Sequence, residues 1–333
     1  MTEDTTTLHL SEVTTTTTEE RQITPGNPVS SWMSSDGILY FTLPIIVIGV
    51  IGTAGNGLIL HALVSSNQYK KYLLIFNQNA LDLYSCVFLV ITHSVKLSNI
   101  RLAGSLGYWI CTLIISDTFI WVGNVGSVIN LATITIDRYL KVCTRKKVRR
   151  WMIYAAIAFA WIGSVVYNAT AVFSTTILVN GTCLSYVAFR DESAKLFYVI
   201  WNVLCFYVIV LFIFIFCYGR ILMTIRRQAK VMASHNTSQS STNQTQSNQI
   251  QTNVIKTMIF VSAFYAVLWL PNYIVMLLYY FLFPNPNTLV IIFYYLSLLC
   301  EFIYTCANPF IYATKFDPVK QVLIRMISCK NTS

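Results

Sequence analysis

Charge is scarce in this sequence. Only 11% of its 333 residues are Asp, Glu, Lys or Arg, against about 25% in an ordinary soluble domain. With 55% hydrophobic residues, there is too little polar surface for a water-facing globule, and an integral membrane protein is the reading that remains. Acids are the scarcest sign, thirteen in all, and Glu3, Asp4, Glu12, Glu19, Glu20 and Asp36 all precede residue 37. The net charge of +10 does not point to nucleic acid, because the bases cluster between apolar segments instead of forming one stripe. There are four histidines (His9, His61, His93, His235), no nucleophile motif, and nine cysteines without metal-ligand spacing, so an enzyme reading finds little support. No internal repeat is present. An ion-coupled transporter or channel therefore has only Asp82 and Glu301 as a conceivable cation path. No apolar leader precedes residue 37, so the first apolar segment is expected to act as its own insertion signal.

What the chain does have is long apolar runs. Seven are placed at about 38–65, 73–97, 107–140, 152–174, 195–226, 253–282 and 288–314, each with the roughly 20 residues needed to cross the hydrocarbon core. Isolated Gly, Pro, Asn and Ser inside them suit helices packed on helices. Basic residues set the orientation. Lys70, Lys71, the run from Arg138 to Arg150, Arg220, Arg226, Arg227, Lys230, Lys256, Lys315, Lys320, Arg325 and Lys330 fall on one side. Arg21, Lys96, Arg101, Arg190 and Lys195 fall on the other. The first side is expected to be cytoplasmic, which places the N-terminus outside and the C-terminus inside, as seven spans require.

Residues 1–37 are rich in Thr, Ser and acids. They are expected to be a disordered extracellular extension, or an acidic arm that attracts a basic ligand. Ser234 to Asn253 is polar and reads as a flexible cytoplasmic loop. Asn180-Gly181-Thr182 is a glycosylation sequon in an extracellular loop. Residues 316–333 form the last unit. Phe316, Val319, Val322, Leu323, Met326 and Ile327 recur at spacings of three and four, with Lys320 and Arg325 among them. That is an amphipathic helix lying on the inner face. Cys329 at its end is a palmitoylation candidate or a plain free thiol. The fold class expected is an all-α membrane protein, a bundle of seven transmembrane helices (38–315) with a short amphipathic eighth.

Asp137-Arg138-Tyr139 closes the third segment, and Asn308-Pro309-Phe310-Ile311-Tyr312 closes the seventh. Gly55-Asn56, Asn77 with Asp82, Trp161, Tyr218, Trp269-Leu270-Pro271 and Phe316 stand in order in the first, second, fourth, fifth, sixth and last elements. Together these resemble the rhodopsin-like (class A) G-protein-coupled receptors over nearly all of residues 38–330, with no subfamily assignable. The resemblance implies a plasma-membrane receptor that binds an extracellular ligand and activates a heterotrimeric G protein by outward movement of the sixth helix about Pro271. Arg138 would be the cytoplasmic contact, paired with Asp137 at rest and turned toward Tyr218, Tyr312 and an inserted G-protein helix when active. Pro309 removes a backbone hydrogen bond and Asn308 can satisfy the freed groups, so two arrangements are available there. Asp82, Asn56, Ser127 and Asn308 are expected to converge, either around a sodium ion with water or as a static network. No other cofactor is implied, and membrane lipids are the remaining partners.

Some positions depart from the family pattern. Cys111 lies 27 residues before Arg138, two more than the family's usual interval. A local insertion in the outer third helix is expected, with the family's disulfide kept as Cys111–Cys183. The fifth segment has no proline, and Val210 stands where one is usual. Leu268 and Tyr265 replace the family's Cys and Phe in the sixth helix. The ligand pocket is expected from His93, Asp117, Ile120, Trp121, Asn124, Asn202, Trp269, Tyr273 and Glu301. Counting back from Arg138 puts Ile120 where an amine-binding Asp would stand, with Asp117 three residues earlier. Glu301 is an isolated intramembrane acid, either paired with Lys96 or His93 or reserved for a ligand cation. Residues 288–314 contain no Lys and Phe302 takes the place of the opsins' retinal-binding Lys, which disfavours an opsin. A peptide ligand is slightly favoured over an amine or other small molecule acting through Asp117 or Glu301.

Overall fold

The structure is a computed structural model that describes residues 35–98, 100–146, 148–185, 189–234, 242–281, 288–315, 319–322 and 324–325. The Thr-rich arm before Ser35, the loop residues 235–241 and Cys329 lie outside the described residues. Among those described, seven helices are long and apolar enough to cross a membrane. They are α1 (Ser35–Ser65), α2 (Leu73–Leu97), α3 (Gly104–Cys143), α4 (Arg150–Thr175), α5 (beginning Glu192–Val203 and continuing as Ile209–Ser234), α6 (Thr242–Phe281) and α7 (Thr288–Lys315). A two-stranded antiparallel hairpin, β1 (Ile177–Val179) and β2 (Thr182–Leu184), joins α4 to α5.

The bundle sets buried polar groups within an apolar core and turns apolar side chains outward. On α2 the buried residues include Gln78, Leu81, Asp82, Ser85, Cys86 and Leu89, spaced three or four apart along one face. Outward, α4 exposes Phe159, Ile162 and Val166, and α5 exposes Phe212 and Ile215. Such faces are stable only against lipid. The helices approach closely where small residues stand at the contacts. A Cβ on Gly123 of α3 would run into the Ser85 side chain and lie 3.0 Å from the Leu81 carbonyl of α2. A Cβ on Gly52 of α1 would meet both Cys86 and Cys306, whose sulfurs are 3.5 Å apart.

The insertion expected in the outer third helix is present and localised. Cys111–Ile115 is a π turn, and Asp117 takes a left-handed conformation with φ 57°. The Ser116 amide reaches the Cys111 carbonyl at 2.9 Å, and its hydroxyl reaches the same oxygen at 2.8 Å. Thr118 Oγ1 donates to the Thr112 carbonyl at 2.5 Å. These hydroxyls satisfy the carbonyls that the wider turn frees. From Thr118 inward the helix is regular to Cys143. The proline-free fifth helix also carries a π turn, Leu204–Val208, just before Val210. There the Tyr265 hydroxyl of α6 donates to the Phe206 carbonyl.

Two stretches differ from expectation. The polar stretch read as a flexible loop to Asn253 is helical from Thr242. No Gly or Pro interrupts residues 242–270, and extending a packed helix is cheaper than starting one. The hairpin was not foreseen, although Asn180-Gly181 is a turn signal as well as a sequon. With φ 50° and 78°, the pair makes the left-handed turn that twisted hairpins prefer. Of the eighth helix, residues 319–322 and 324–325 are helical and Val319 is buried in the core; the rest of that expectation lies outside the described residues.

Replacing Gly123 by Val should wedge α3 from α2 and destabilise the bundle by roughly 1–3 kcal/mol. A lowered thermal unfolding midpoint in detergent measures this, and an unchanged midpoint would mean that the two helices do not pack this closely.

Candidate functional site

Three groups of residues stand in line through the bundle. The central one is built on Asp82, whose side chain is fully buried. Its Oδ2 accepts from Asn308 Nδ2 of α7 at 2.7 Å. Its Oδ1 accepts from Ser127 Oγ of α3 at 2.8 Å and from Gln78 Nε2, one turn earlier on α2, at 3.5 Å. Gln78 also donates to Ser127 Oγ. Behind Gln78 the chain continues: Asn130 Nδ2 donates to Gln78 Oε1 at 2.8 Å, Asn77 Nδ2 donates to Asn130 Oδ1 at 3.0 Å, and Trp161 Nε1 of α4 donates to Asn77 Oδ1 at 3.0 Å. Every donor in this series points toward Asp82. The relay starts at an indole N–H, which can only donate, and ends at a carboxylate, which can only accept. Bonds aligned in one direction polarise one another.

Ser127 and Asn308 are therefore where the sequence placed them, and Asn56 is not. Its amide donates to the Gly52 carbonyl at 3.0 Å and approaches Cys86 Sγ at 3.9 Å. Cys86 lies one turn beyond Asp82, so Asn56 ties α1 to α2 instead of joining the carboxylate. Gln78 and Asn130 were missed. A signal existed, since Gln78, Asp82 and Ser85 form a polar stripe of helical spacing in an apolar segment. As a sodium site the oxygens of Asp82, Ser127 and Asn308 fit, because Asn308 Oδ1 is buried without a hydrogen-bond partner and hard cations prefer such oxygen donors.

The outer group is the expected ligand pocket, and the structure divides it. Asp117 is held by Lys96, whose ammonium lies 2.7 and 2.8 Å from its two oxygens. It is not an open anchor for an amine, and Lys96 is not the partner of Glu301. Ile120 is buried against Ile45, Leu89 and Phe302, so it belongs to the packing of α1, α2 and α7. Its carbonyl accepts from Ser85 at 3.3 Å. His93 is spent on the Leu89 carbonyl at 3.1 Å, with its ring edge-on to Phe302; it too is not paired with Glu301. Trp121 is half-buried, and Asn202 donates to the Tyr198 carbonyl at 2.9 Å. Glu301, Asn124, Trp269 and Tyr273 remain. Glu301 is fully buried; its Oε2 accepts from Asn272 Nδ2 at 2.9 Å and its Oε1 has no partner. Asn124 accepts from Thr305 at 3.2 Å while its Nδ2 is unsatisfied, as is Trp269 Nε1. The Trp269 ring contacts Tyr265, Tyr273 and Tyr304 at centroid distances of 5.2, 6.0 and 6.3 Å. Above them the hairpin is fastened to α3 by the Cys111–Cys183 disulfide, and Asn180 sits exposed at its tip.

The inner group surrounds Arg138. Asp137 is buried and its Oδ2 lies 2.6 Å from Lys141 Nζ but 3.9 Å from Arg138 Nε. The expected Asp137–Arg138 pair is thus loose, because Lys141 one turn on reaches the carboxylate more directly. Tyr139 packs on Phe216 of α5. Tyr218 does not bond Arg138. Its hydroxyl bridges Thr135 Oγ1 of α3 at 3.0 Å and Ser262 Oγ of α6 at 3.1 Å. A second tie runs from Thr257 Oγ1 of α6 to the Lys315 carbonyl of α7 at 2.9 Å. Pro271 lies inside α6 and Pro309 inside α7, and Tyr312 is fully buried.

The chain matches the family model described as the seven-transmembrane receptor (rhodopsin family) over residues 55–312. It is 25% identical over 222 residues to the rhodopsin of Enteroctopus dofleini, covering 61% of this chain; the match spans about half (47%) of that relative's length. The fold is similar to the crystal structure of squid rhodopsin, with a TM-score of 0.70, 19% identity, and coverage of 89% of this chain and 86% of that one.

Gln78→Leu should break the relay at its middle, leave Asn130 Nδ2 with only the Leu74 carbonyl, and destabilise the protein by about 1–3 kcal/mol. Trp161→Phe, which removes only the first donor, should cost less. Thermal unfolding of the two variants checks the order, and an equal loss would mean that the relay does not act as a unit.

Proposed function

Because the chain belongs to the rhodopsin family of seven-transmembrane receptors, we propose that it binds an extracellular ligand carrying a positively charged group and activates a heterotrimeric G protein at the plasma membrane. The observation that carries the ligand reading is Glu301. A fully buried carboxylate with one oxygen unpartnered is costly in the interior of a membrane protein. A ligand cation set over Trp269 and Tyr273 would satisfy that oxygen and meet the ring faces. A peptide with a basic group is the favoured ligand, in keeping with the acidic N-terminal arm and with the engagement of Asp117 by Lys96. The second reading is a small amine held by Glu301, which the same oxygen would serve.

Transmission follows from what the ligand would touch. Trp269 stands two residues before Pro271, where α6 has lost a backbone hydrogen bond and bends most easily. Ligand contact at Trp269 would bias the pivot. Outward movement of the inner end of α6 requires the Ser262–Tyr218 and Thr257–Lys315 bonds to open, which frees Tyr218 to meet Arg138. Such a device has two packed arrangements, and a ligand shifts them only through different contacts in each. Asn308, tied to Asp82 at rest, is the counterpart on α7, where Pro309 and Tyr312 complete the switch. A sodium ion held by Asp82, Ser127 and Asn308 would supply a fixed positive charge that stabilises the resting arrangement. The basic ends of the helices face the cytoplasm in this proposal, with the hairpin and Asn180, a glycosylation acceptor, outside.

Screening peptide and amine libraries in cells, with nucleotide exchange on several G proteins as the readout, tests the reading. Arg138→Ala should abolish ligand-driven exchange while surface expression persists. Glu301→Gln should raise the half-maximal concentration of a cationic agonist by ten-fold or more, as expected for loss of a charged hydrogen bond worth roughly 1.5–3 kcal/mol. Full signalling by the Arg138 variant would rule out the mechanism. An unaltered dose–response in the Glu301 variant would assign that residue to structure alone.

A further inference from the structure

A cavity of about 320 Å³ opens at the basic end of the bundle, between the α1–α2 loop, the inner end of α3 and the start of α4. Its charged wall is Lys70, Lys71, Arg138, Lys141 and Arg150, against the single acid Asp137. That acid is already engaged by Lys141 at 2.6 Å. Among the described residues, Lys70, Lys71 and Arg150 form no ion pair. The two lysines instead lie over tyrosine rings, Lys70 Nζ 5.7 Å from the Tyr69 centroid and Lys71 Nζ 5.3 Å from that of Tyr72. A ring holds an ammonium group in place yet leaves its N–H groups to donate elsewhere. Five cations converging on one hollow with one counter-charge repel one another unless an anion joins them. The composition of the wall matches a phosphate ester, which offers several acceptor oxygens and more than one negative charge.

The surroundings point to the membrane. At the cavity's α4 side Tyr154 is 58% exposed, and the neighbouring Trp151 is 63% exposed. Large amphipathic rings at a helix end mark the level of the lipid headgroups. Basic pockets between helices at this depth suit lipid phosphates.

We propose that this cavity binds a phosphate ester presented by an anionic lipid headgroup, next to the Asp137–Lys141 bond and Arg138. It rests on the cytoplasmic placement of this end only for which leaflet supplies the lipid; a soluble phosphate has the same chemistry, and the test separates the two.

The full chain, purified into nanodiscs of phosphatidylcholine, is titrated with phosphatidylinositol bisphosphate in one arm and with inositol trisphosphate or inorganic phosphate in the other. The thermal unfolding midpoint reads binding, because a ligand of the folded state raises it. A rise with the lipid is expected. The half-saturating amount should increase about tenfold in the Lys70→Gln/Lys71→Gln pair and in Arg150→Gln, each of which alters exposed side chains. Arg145→Gln/Lys146→Gln, exposed cations outside the cavity, should bind as the parent does. Protection by the soluble phosphates but not by the lipid keeps the site and assigns it a soluble ligand. No protection in either arm, or an equal loss in the Arg145/Lys146 pair, overturns it. Discs expose both membrane faces and the assay needs no G protein, so neither a reversed orientation nor a failed receptor mechanism can produce those negative results.

Discussion

A carboxylate buried at the centre of a membrane bundle must find every partner within the protein. Asp82 meets that constraint with donors from α2, α3 and α7, and the relay behind it draws in α4 through Trp161. Four helices are thereby held by one charge. Hydrogen bonds to a charged group are worth about 1.5–3 kcal/mol each, and leaving the charge unmatched would cost more than any one bond returns. The close glycine contacts at α3 and the small Ser85 and Ser127 side chains follow from the same need, since the donors must come within reach. The cluster is also where α7 could separate from α2, because Asn308 supplies its only bond from that helix to Asp82 among the described residues.

Either side of this hub the helices are irregular in ways that matter. On the outer side the π turn and left-handed Asp117 let α3 absorb extra residues while Cys111 still reaches the hairpin and Asp117 reaches Lys96. Without that local widening, every inner residue of α3 would rotate off its face, and Ser127 and Asn130 would lose Asp82 and Gln78. The π turn of α5 does the work usually given to proline: it frees a carbonyl, and Tyr265 of α6 bonds it. On the inner side, Tyr218 ties three helices. Two tyrosines at different depths thus couple α5 to α6.

Much of this was legible beforehand. Seven spans followed from the lengths of the apolar runs, because membrane thickness sets element length. Asp82, Ser127 and Asn308 could be named together, and Cys111 with Cys183, because their motifs stand at recognisable positions. The pocket was less legible. Ile120 stands where counting from Arg138 puts it, because α3 is regular from Thr118 to Cys143, but counting along one helix does not show that this side chain packs against Ile45, Leu89 and Phe302 of three other helices. Asp117 looked free because its partner Lys96 is on another helix. Lys141 was read as part of a basic run, yet its spacing of one turn from Asp137 gives it the carboxylate ahead of Arg138. Asn180-Gly181 is both a sequon and a left-handed turn, and it is the pairing of the strands on either side that makes the turn evident.

The sequence by itself determined a membrane bundle, its seven spans and the motif residues that mark the receptor family, because hydrophobic length and local spacing are properties of consecutive residues. Tertiary structure alone decided the pairings: Glu301 with Asn272 and not Lys96, Asn56 with Cys86 of α2 and not Asp82, Gln78 and Asn130 in the relay. A buried polar atom bonds whichever group lies about 3 Å away, and which group that is depends on the rotation and approach of helices far apart in the chain.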